Sequence, residues 1–472
     1  MPASAEARAF PRAVIVERRA DGSVAQPAGV AQGWRHALPW IVAAACAGVA
    51  IVVLYPGQFA FDSAHQWWQA RTGRFSNGSP VAMVAVWALL LDLTGNPAAL
   101  LCLNLVLYFA GLALCVIVTA ERAISRVLLL VAIGILPLGL TQMAHVLTDA
   151  HVAAVMVLAT GFLATGLATR RRMPLAICGA LLVYAGCIRY NALAAVVPYA
   201  VVLALGLVPV TKPRWQAPVI IVAVIASSTL AIAALLDRGL VRERVSVWPT
   251  IALWDLAAIS IDEGTLLLPS FTHGEGLTVD ELVRTGAFDP TVNVALFERS
   301  RSGMRDGYGY PYSKEEQRAL ARAWLDAVRD HPAAYVRHRL RTFALMTGRH
   351  DAPVHGVAYF RSRIAFADNP PLPSPLAPRA QDAFYGLAAN LAPGWSFAAL
   401  PYLGVALAAG MLGAMRRDLA TGRVAIALSA SALLYAASYV PLAPAADLRY
   451  LTWPIVAAPI ALAFALSRAR RR

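Results

Sequence analysis

Charge is what this sequence has little of. Asp, Glu, Lys and Arg make up 14% of its 472 residues, against about 25% in an ordinary soluble domain. That excludes a cytosolic enzyme, a DNA-binding protein and a disordered tail. Lysine is nearly missing: Lys212 and Lys314 are the only two, so 39 of the 41 basic residues are arginine. With the alanine-rich composition this looks like codon bias in a high-GC bacterium. Cysteine is scarce and unpatterned. Cys46, Cys102, Cys115, Cys178 and Cys187 lie in apolar runs without paired or CxxC spacing, which excludes a disulfide framework or zinc site and makes them small packing residues. No cleavable leader is expected either. The first 36 residues are polar and Arg-bearing, too long for the n-region of a signal peptide, so the first apolar run stays as an uncleaved anchor.

What is there is apolar sequence, 58% of the chain, and the class it implies is an all-α polytopic membrane protein. Runs of membrane length fall at about 38–54, 98–119, 127–143, 150–168, 174–188, 191–208, 217–236, 396–415, 424–442 and 450–467. A shorter run, Val81 to Leu93, is ambiguous, and charge decides it. Arg8, Arg12, Arg18, Arg19 and Arg35 put the N-terminus in the cytoplasm, where positive charge collects. If 81–93 crossed, Arg122, Arg126, Arg170–Arg172, Lys212 and Arg214 would all lie outside. If it only dips into the outer leaflet, they lie inside, together with Arg416, Arg417 and the Arg468–Arg472 tail. The second solution gives ten spans, both termini cytoplasmic, and 81–93 as a juxtamembrane helix.

The resulting organisation is a cytoplasmic tail over 1–36, a membrane module over 37–236 with its first outer loop at 55–97, an outer domain over 237–395, and C-terminal spans with a basic tail over 396–472. The outer domain holds 18 basic and 18 acidic residues. The net +14 therefore belongs to the membrane part (23 minus 9), where it needs no nucleic-acid partner to explain it. Asp326 to Thr347 is expected as one amphipathic helix, and Pro370–Pro378, with five prolines, as an extended linker.

Ionisable residues at membrane depth are costly and read first as functional. Under this topology they gather at one face: Asp62 and His65 in the loop that also carries Trp67 and Trp68, Asp149 and His151 in the second loop, Arg189 and Asn191 in the third, and Asp447, Arg449 and Tyr450 in the last. The set suits glycosyl transfer from a lipid phosphate, in which a carboxylate serves as base and an arginine fork holds the leaving phosphate. Plainer roles exist for each. Asp62 and Asp149 could cap helices, and Arg189 could snorkel. The two histidines could each make a structural hydrogen bond. Trp67 and Trp68 could form an aromatic belt, and Asp447 and Arg449 could pair with each other.

The loops resemble those of the GT-C glycosyltransferases, among them the protein O-mannosyltransferases and the lipid A aminoarabinose transferase. The likeness rests on an aspartate soon after the first span, a Trp-bearing helix, a Gly, a Pro-led juxtamembrane helix and a second Thr-Asp loop, then Arg189-Tyr190-Asn191-Ala192 with Pro198, and Arg449-Tyr450 before the last span. It covers about 38–236 and the last spans. The stretch Ala252 to Ser260 resembles a segment common in bacterial members. The resemblance implies a GT-C-like bundle with juxtamembrane helices and a mostly helical periplasmic domain. It implies an inverting transferase of the bacterial inner membrane that uses a polyprenyl-phosphate sugar donor and a periplasmic lipid, glycan or protein acceptor. Asp62 would be the catalytic aspartate and Asp149 the second acidic residue. Arg189, Asn191, His65, Trp67, His151, Arg449 and Tyr450 would contact substrate. No cofactor is called for with certainty; Mg or Mn bridging carboxylate and phosphate stays open, although Ser63 stands where many relatives have a second acid. The rival classes are a transporter or flippase of lipid-linked sugars and a polysaccharide ligase or polymerase. The first lacks support from paired inverted halves.

Overall fold

The computed structural model describes residues 28–189, 191–207, 216–298, 303–305, 312–348 and 365–467. The basic tails before Ala28 and after Ser467, Lys212, Arg214 and Tyr190 lie outside the described residues, as do His350 and His355. Among the described residues are eighteen α-helices and one two-stranded sheet.

The chain opens with α1 (Ala28–Leu54), α2 (Phe61–Thr72), α3 (Val81–Thr94) and α4 (Ala99–Thr119), followed by α5 (Ala123–Gly134), α6 (Pro137–Met143), α7 (Thr148–Thr169), α8 (Arg172–Ile188), α9 (Ala192–Leu207) and α10 (Gln216–Leu240). The segment 241–395 contributes α11 (Trp248–Glu263), α12 (Val279–Arg284), α13 (Lys314–Asp330), α14 (Pro332–Thr347) and α15 (Pro378–Leu391). The chain closes with α16 (Ala399–Ala414), α17 (Ala420–Leu442) and α18 (Thr452–Leu466). Among the described residues six helices are long and apolar enough to cross a membrane, and α5 with α6 makes a seventh if the bent pair is one span. This is a multi-pass, all-α membrane protein. Of the ten expected spans, those at 174–188, 191–208 and 396–415 appear as shorter apolar helices.

The bundle is built around α7, which packs on α4, α8, α17 and α18. The α4–α7 crossing is a backbone contact. A Cβ at Gly111 would lie 2.6 Å from the Leu158 nitrogen, and one at Gly161 would lie 3.0 Å from the Gly111 carbonyl oxygen. Small residues permit this approach, which dispersion rewards in lipid, where no hydrophobic drive operates. At the other extreme α10 is mostly exposed, as a lipid-facing helix should be.

One expectation fails at a proline. The expected helix 326–347 is two helices, broken at His331 (φ −124°, ψ 54°) before Pro332. The run 127–143 is a bent pair, because Leu136 is held out of the helical region (φ −50°, ψ 122°) ahead of Pro137 and α6 leaves α5 at 66°. The proline run from 370 has no helix or strand until Pro378, the last residue of the expected linker, opens α15.

Helix α3 has 14 residues and spans about 21 Å, too short for a hydrocarbon core of about 30 Å. Asn96 Nδ2 donates to Tyr55 Oη at 3.0 Å, so the end of α1 and the start of α4 meet and the chain between them does not traverse the bundle. The loop after α1 also pairs with the loop after α6, with Gln58 N to Ala144 O 2.9 Å and Val146 N to Gln58 O 3.0 Å. Parallel strands β1 (Phe75–Ser76) and β2 (Val241–Glu243) tie the first loop to the end of α10. Far from these, Arg416 Nη1 donates to Ala465 O and Ser467 O at 3.0 and 2.9 Å, and Ser467 Oγ donates to Thr119 O at 2.8 Å. The bundle thus has one end of loops carrying polar side chains and an opposite end closed by helix termini.

The segment 241–395 has a core of its own, with Leu253, Leu256 and Ile259 of α11 against Leu320 of α13 and Ala334 of α14. Met346 and Ala388 belong instead to the bundle core. Gln381 of α15 explains part of that docking: its Nε2 donates to Tyr55 O at 2.9 Å and Val53 O at 3.2 Å, satisfying carbonyls left open where α1 ends.

Candidate active site

Five charged side chains from four loops meet at the polar end. Asp62 stands in the first turn of α2. That helix starts two residues earlier than a cap at Asp62 would require, with Ala60 at the N-cap and Ser63 Oγ accepting from Ala60 N at 3.2 Å. Its carboxylate is therefore spent elsewhere, on Arg449, with Nη1 2.8 Å from Oδ2. Arg449 Nε lies 2.6 Å from Asp447 Oδ2, and Asp447 Oδ1 caps the short turn Leu448–Leu451 by accepting from Arg449 N at 3.0 Å. Asp149 is likewise not the cap of its helix, whose N-cap is Leu147. It forms an ion pair with Arg189 at the α8–α9 turn. Asp149 is 5% exposed and Arg189 21%, whereas Asp62 is 48% exposed.

Aromatic rings frame the two guanidiniums. Tyr450 stacks on Tyr439 with centroids 5.1 Å apart and planes 8° off parallel. The Arg189 guanidinium lies 5.2 Å from the Tyr450 ring and 5.6 Å from Tyr439, and that of Arg449 lies 5.3 Å from Tyr450. Such contacts hold an arginine in place without consuming its hydrogen-bond donors. Burial raises the Asp447 carboxyl above its usual range against the opposing pull of Arg449. Beneath the cluster, Gln58, Gln142 and His145 are buried, and each leaves a side-chain nitrogen without a partner. Burial, with Arg449 nearby, pushes the His145 imidazole down to about 3. It stays neutral.

The other expected contacts divide. Asn191 lies in the α8–α9 turn beside Arg189, its carbonyl accepting from Ala194 N at 3.1 Å. His65 faces the site end of α2, 3.0 Å from Gln69 Nε2 and packed on Phe366 at 4.9 Å. Burial lowers its imidazole while Asp62 opposes. Trp67 is not a ligand surface here: it is 4% exposed and packs edge-on against Phe59. The neighbouring Trp68 donates to Asp368 Oδ1 at 2.9 Å. His151 is fully buried, with Nδ1 2.6 Å from Asn104 Oδ1 and Nε2 2.8 Å from Tyr184 Oη. Both ring nitrogens are satisfied, the plainer of its two roles. Asp447, Tyr439 and Tyr435 complete the cluster although the sequence singled out no role for the two tyrosines. The available signal was an aromatic pair at i and i+4 one turn before a charged loop.

The Mg or Mn left open by the loop chemistry finds no donor set. Among the described residues no group of three His, Cys, Asp or Glu side chains is placed to hold a metal ion. Asp62, Asp149 and Asp447 each face a guanidinium already. The residues present do not fit a resident divalent cation.

An apolar groove of about 380 Å³ runs between α3, α8 and α10, lined by Ala82, Val86, Ala180, Val183, Tyr184 and Cys187. Its Cys187 end is two residues from Arg189. Comparison with protein-family models, curated proteins and solved structures finds no match to this chain.

Proposed function

We propose that the protein is an inverting glycosyltransferase of the GT-C type in the bacterial inner membrane. It would carry ten spans, both termini in the cytoplasm and the polar end in the periplasm. It would move one sugar from a polyprenyl phosphate to a periplasmic lipid, glycan or protein. The observation that carries this reading is a carboxylate–arginine cluster at one end of the bundle, together with an apolar groove whose lining residue Cys187 stands two positions before Arg189 in the chain. A lipid phosphate has that same division into an apolar chain and an anionic head.

The chemistry follows from which carboxylate can move. The resting cluster holds three carboxylates and two guanidiniums, a formal charge of −1 (2 minus 3). An arriving phosphate makes this worse unless a carboxylate leaves an arginine. Asp62 is the most exposed of the three and holds Arg449 through one oxygen. The phosphate takes its place on Arg449, in the charge-assisted geometry that guanidinium favours. The freed Asp62 then accepts the proton of the acceptor hydroxyl or amine. The acceptor atom bonds to the anomeric carbon from the far side, and the bond from that carbon to the phosphate oxygen breaks. The lipid phosphate keeps the electron pair, and Arg449 and Arg189 offset its charge.

The test compares envelope glycolipids and glycans by mass spectrometry in a deletion strain complemented with wild type or Asp62→Asn. A mass step of one sugar, present with wild type and absent with the variant, is expected. Near-wild-type transfer by Asp62→Asn sinks the base assignment. Identical spectra in every strain move the reading to a protein acceptor or to transport.

A further inference from the structure

The Ala252–Ser260 stretch contains a carboxylate that the chemistry above does not use. Asp255 of α11 is fully buried, and its Oδ2 accepts from Trp324 Nε1 at 2.9 Å and from Arg339 Nη2 at 2.5 Å. Arg339 of α14 is 2% exposed, and its other terminal nitrogen, Nη1, donates to Ala443 O at 2.7 Å. Ala443 is the residue at which α17 ends and the chain turns extended (φ −64°, ψ 125°) into the loop carrying Asp447 and Arg449. The segment 241–395 holds that loop a second time, through Ala446 N to Thr291 O at 2.7 Å and the Val292–Ala445 bridge.

A buried ion pair is a poor device for stability alone, since apolar residues of the same volume serve as well or better. What it adds is direction. The guanidinium fork makes one bond to each of two acceptors on different elements and so sets the distance between them. We propose that Asp255 and Arg339 are positioning residues: the fork ties the segment 241–395 to the Ala443 carbonyl and thereby sets where the 443–449 loop presents Arg449 to Asp62. The inference rests on the reading of Arg449 as a ligand of the donor phosphate. Neither residue touches substrate. A lysine at 339 can keep its charge beside Asp255 but cannot bond both acceptors in the same geometry.

The experiment uses the full chain in lipid nanodiscs. Amide hydrogen exchange is followed by mass spectrometry in wild type, Arg339→Lys and the charge-free double variant Asp255→Asn/Arg339→Met. In parallel, binding of undecaprenyl phosphate, used as the probe, is titrated by native mass spectrometry. In both variants exchange over 443–451 accelerates about tenfold or more while α11 and α13 keep their protection, and the probe binds roughly tenfold more weakly. In an Arg449→Gln background, Arg339→Lys causes no further loss of binding, because it acts through Arg449. Unchanged exchange over 443–451 in the variants overturns the proposal. So does opening of α11 and α13 to the same extent, which would make the pair a fold determinant only. If wild type does not bind the probe, the donor reading of Arg449 falls, and the exchange rates over 443–451 alone decide whether Asp255 and Arg339 hold the loop.

Discussion

Arg189→Gln leaves the Asp149 carboxylate, 5% exposed, without its charge partner. Removing one member of a buried pair costs about 3–5 kcal/mol, because the other is left charged and desolvated. Removing both together is close to neutral for the same reason. Unfolding entropy near 2.1 cal/mol/K per residue gives this 472-residue chain about 1 kcal/mol/K, so the single variant should melt about 3–5 °C lower. The double variant Asp149→Asn/Arg189→Gln should recover most of that loss. Function should not follow stability: on the proposed reading the double variant lacks the arginine that offsets the phosphate charge, so sugar transfer stays absent although most of the stability is regained. Thermal melts in detergent give the first axis, and envelope mass spectra of complemented strains give the second. A double variant that melts as low as Arg189→Gln refutes the buried-pair argument. One that transfers at the wild-type level refutes the phosphate role of Arg189.

Two further outcomes follow from the geometry. The His145 imidazole sits at about 3 in the folded protein against about 6.5 in an unfolded chain. Below pH 6.5 the unfolded state therefore binds the extra proton and stability falls with pH, by about 2 kcal/mol between pH 6.5 and pH 5. Melting curves of His145→Gln should lose that part of the acid dependence, and equal slopes for variant and wild type would contradict the neutral assignment. Ala180→Trp fills the groove between α3, α8 and α10; it should weaken binding of undecaprenyl phosphate severalfold while leaving a geranyl phosphate unaffected. Equal losses for both lipids would place the tail elsewhere.

Much of the fold was legible because membrane burial writes itself into long apolar runs. Val81–Thr94 is too short to cross, and Tyr55 bonds Asn96 on either side of it. Hydropathy could not show the breaks within runs. The residues from 127 to 143 are apolar throughout, and Pro137 lowers that average hardly at all while disfavouring helix at Leu136. The same blindness joined α13 to α14 across Pro332, where amphipathic spacing on both sides continued through the proline. In both places the local rule about the residue before proline carried more information than the periodicity.

Candidate residues were legible and their partners were not. Charged side chains at the ends of apolar runs are visible in a list of letters, and Asp62, Asp149, Arg189 and Arg449 do converge. Adjacency in sequence offered a pairing of Asp447 with Arg449 as the plainer alternative to a role in binding substrate. In space Arg449 also reaches Asp62 from the far end of the chain, so one guanidinium joins carboxylates of the first and last loops. The choice between Trp67 and Trp68, or between a buried and an open histidine, turns on helix rotation, and in α2 neither face is uniformly apolar enough to fix it. Asp255 looked like one polar residue in an apolar stretch. Only its bond to Arg339, and that arginine's bond to Ala443, connects it to the cluster. Such a connection depends on distances between elements far apart in the chain, the quantity that single-sequence patterns do not carry.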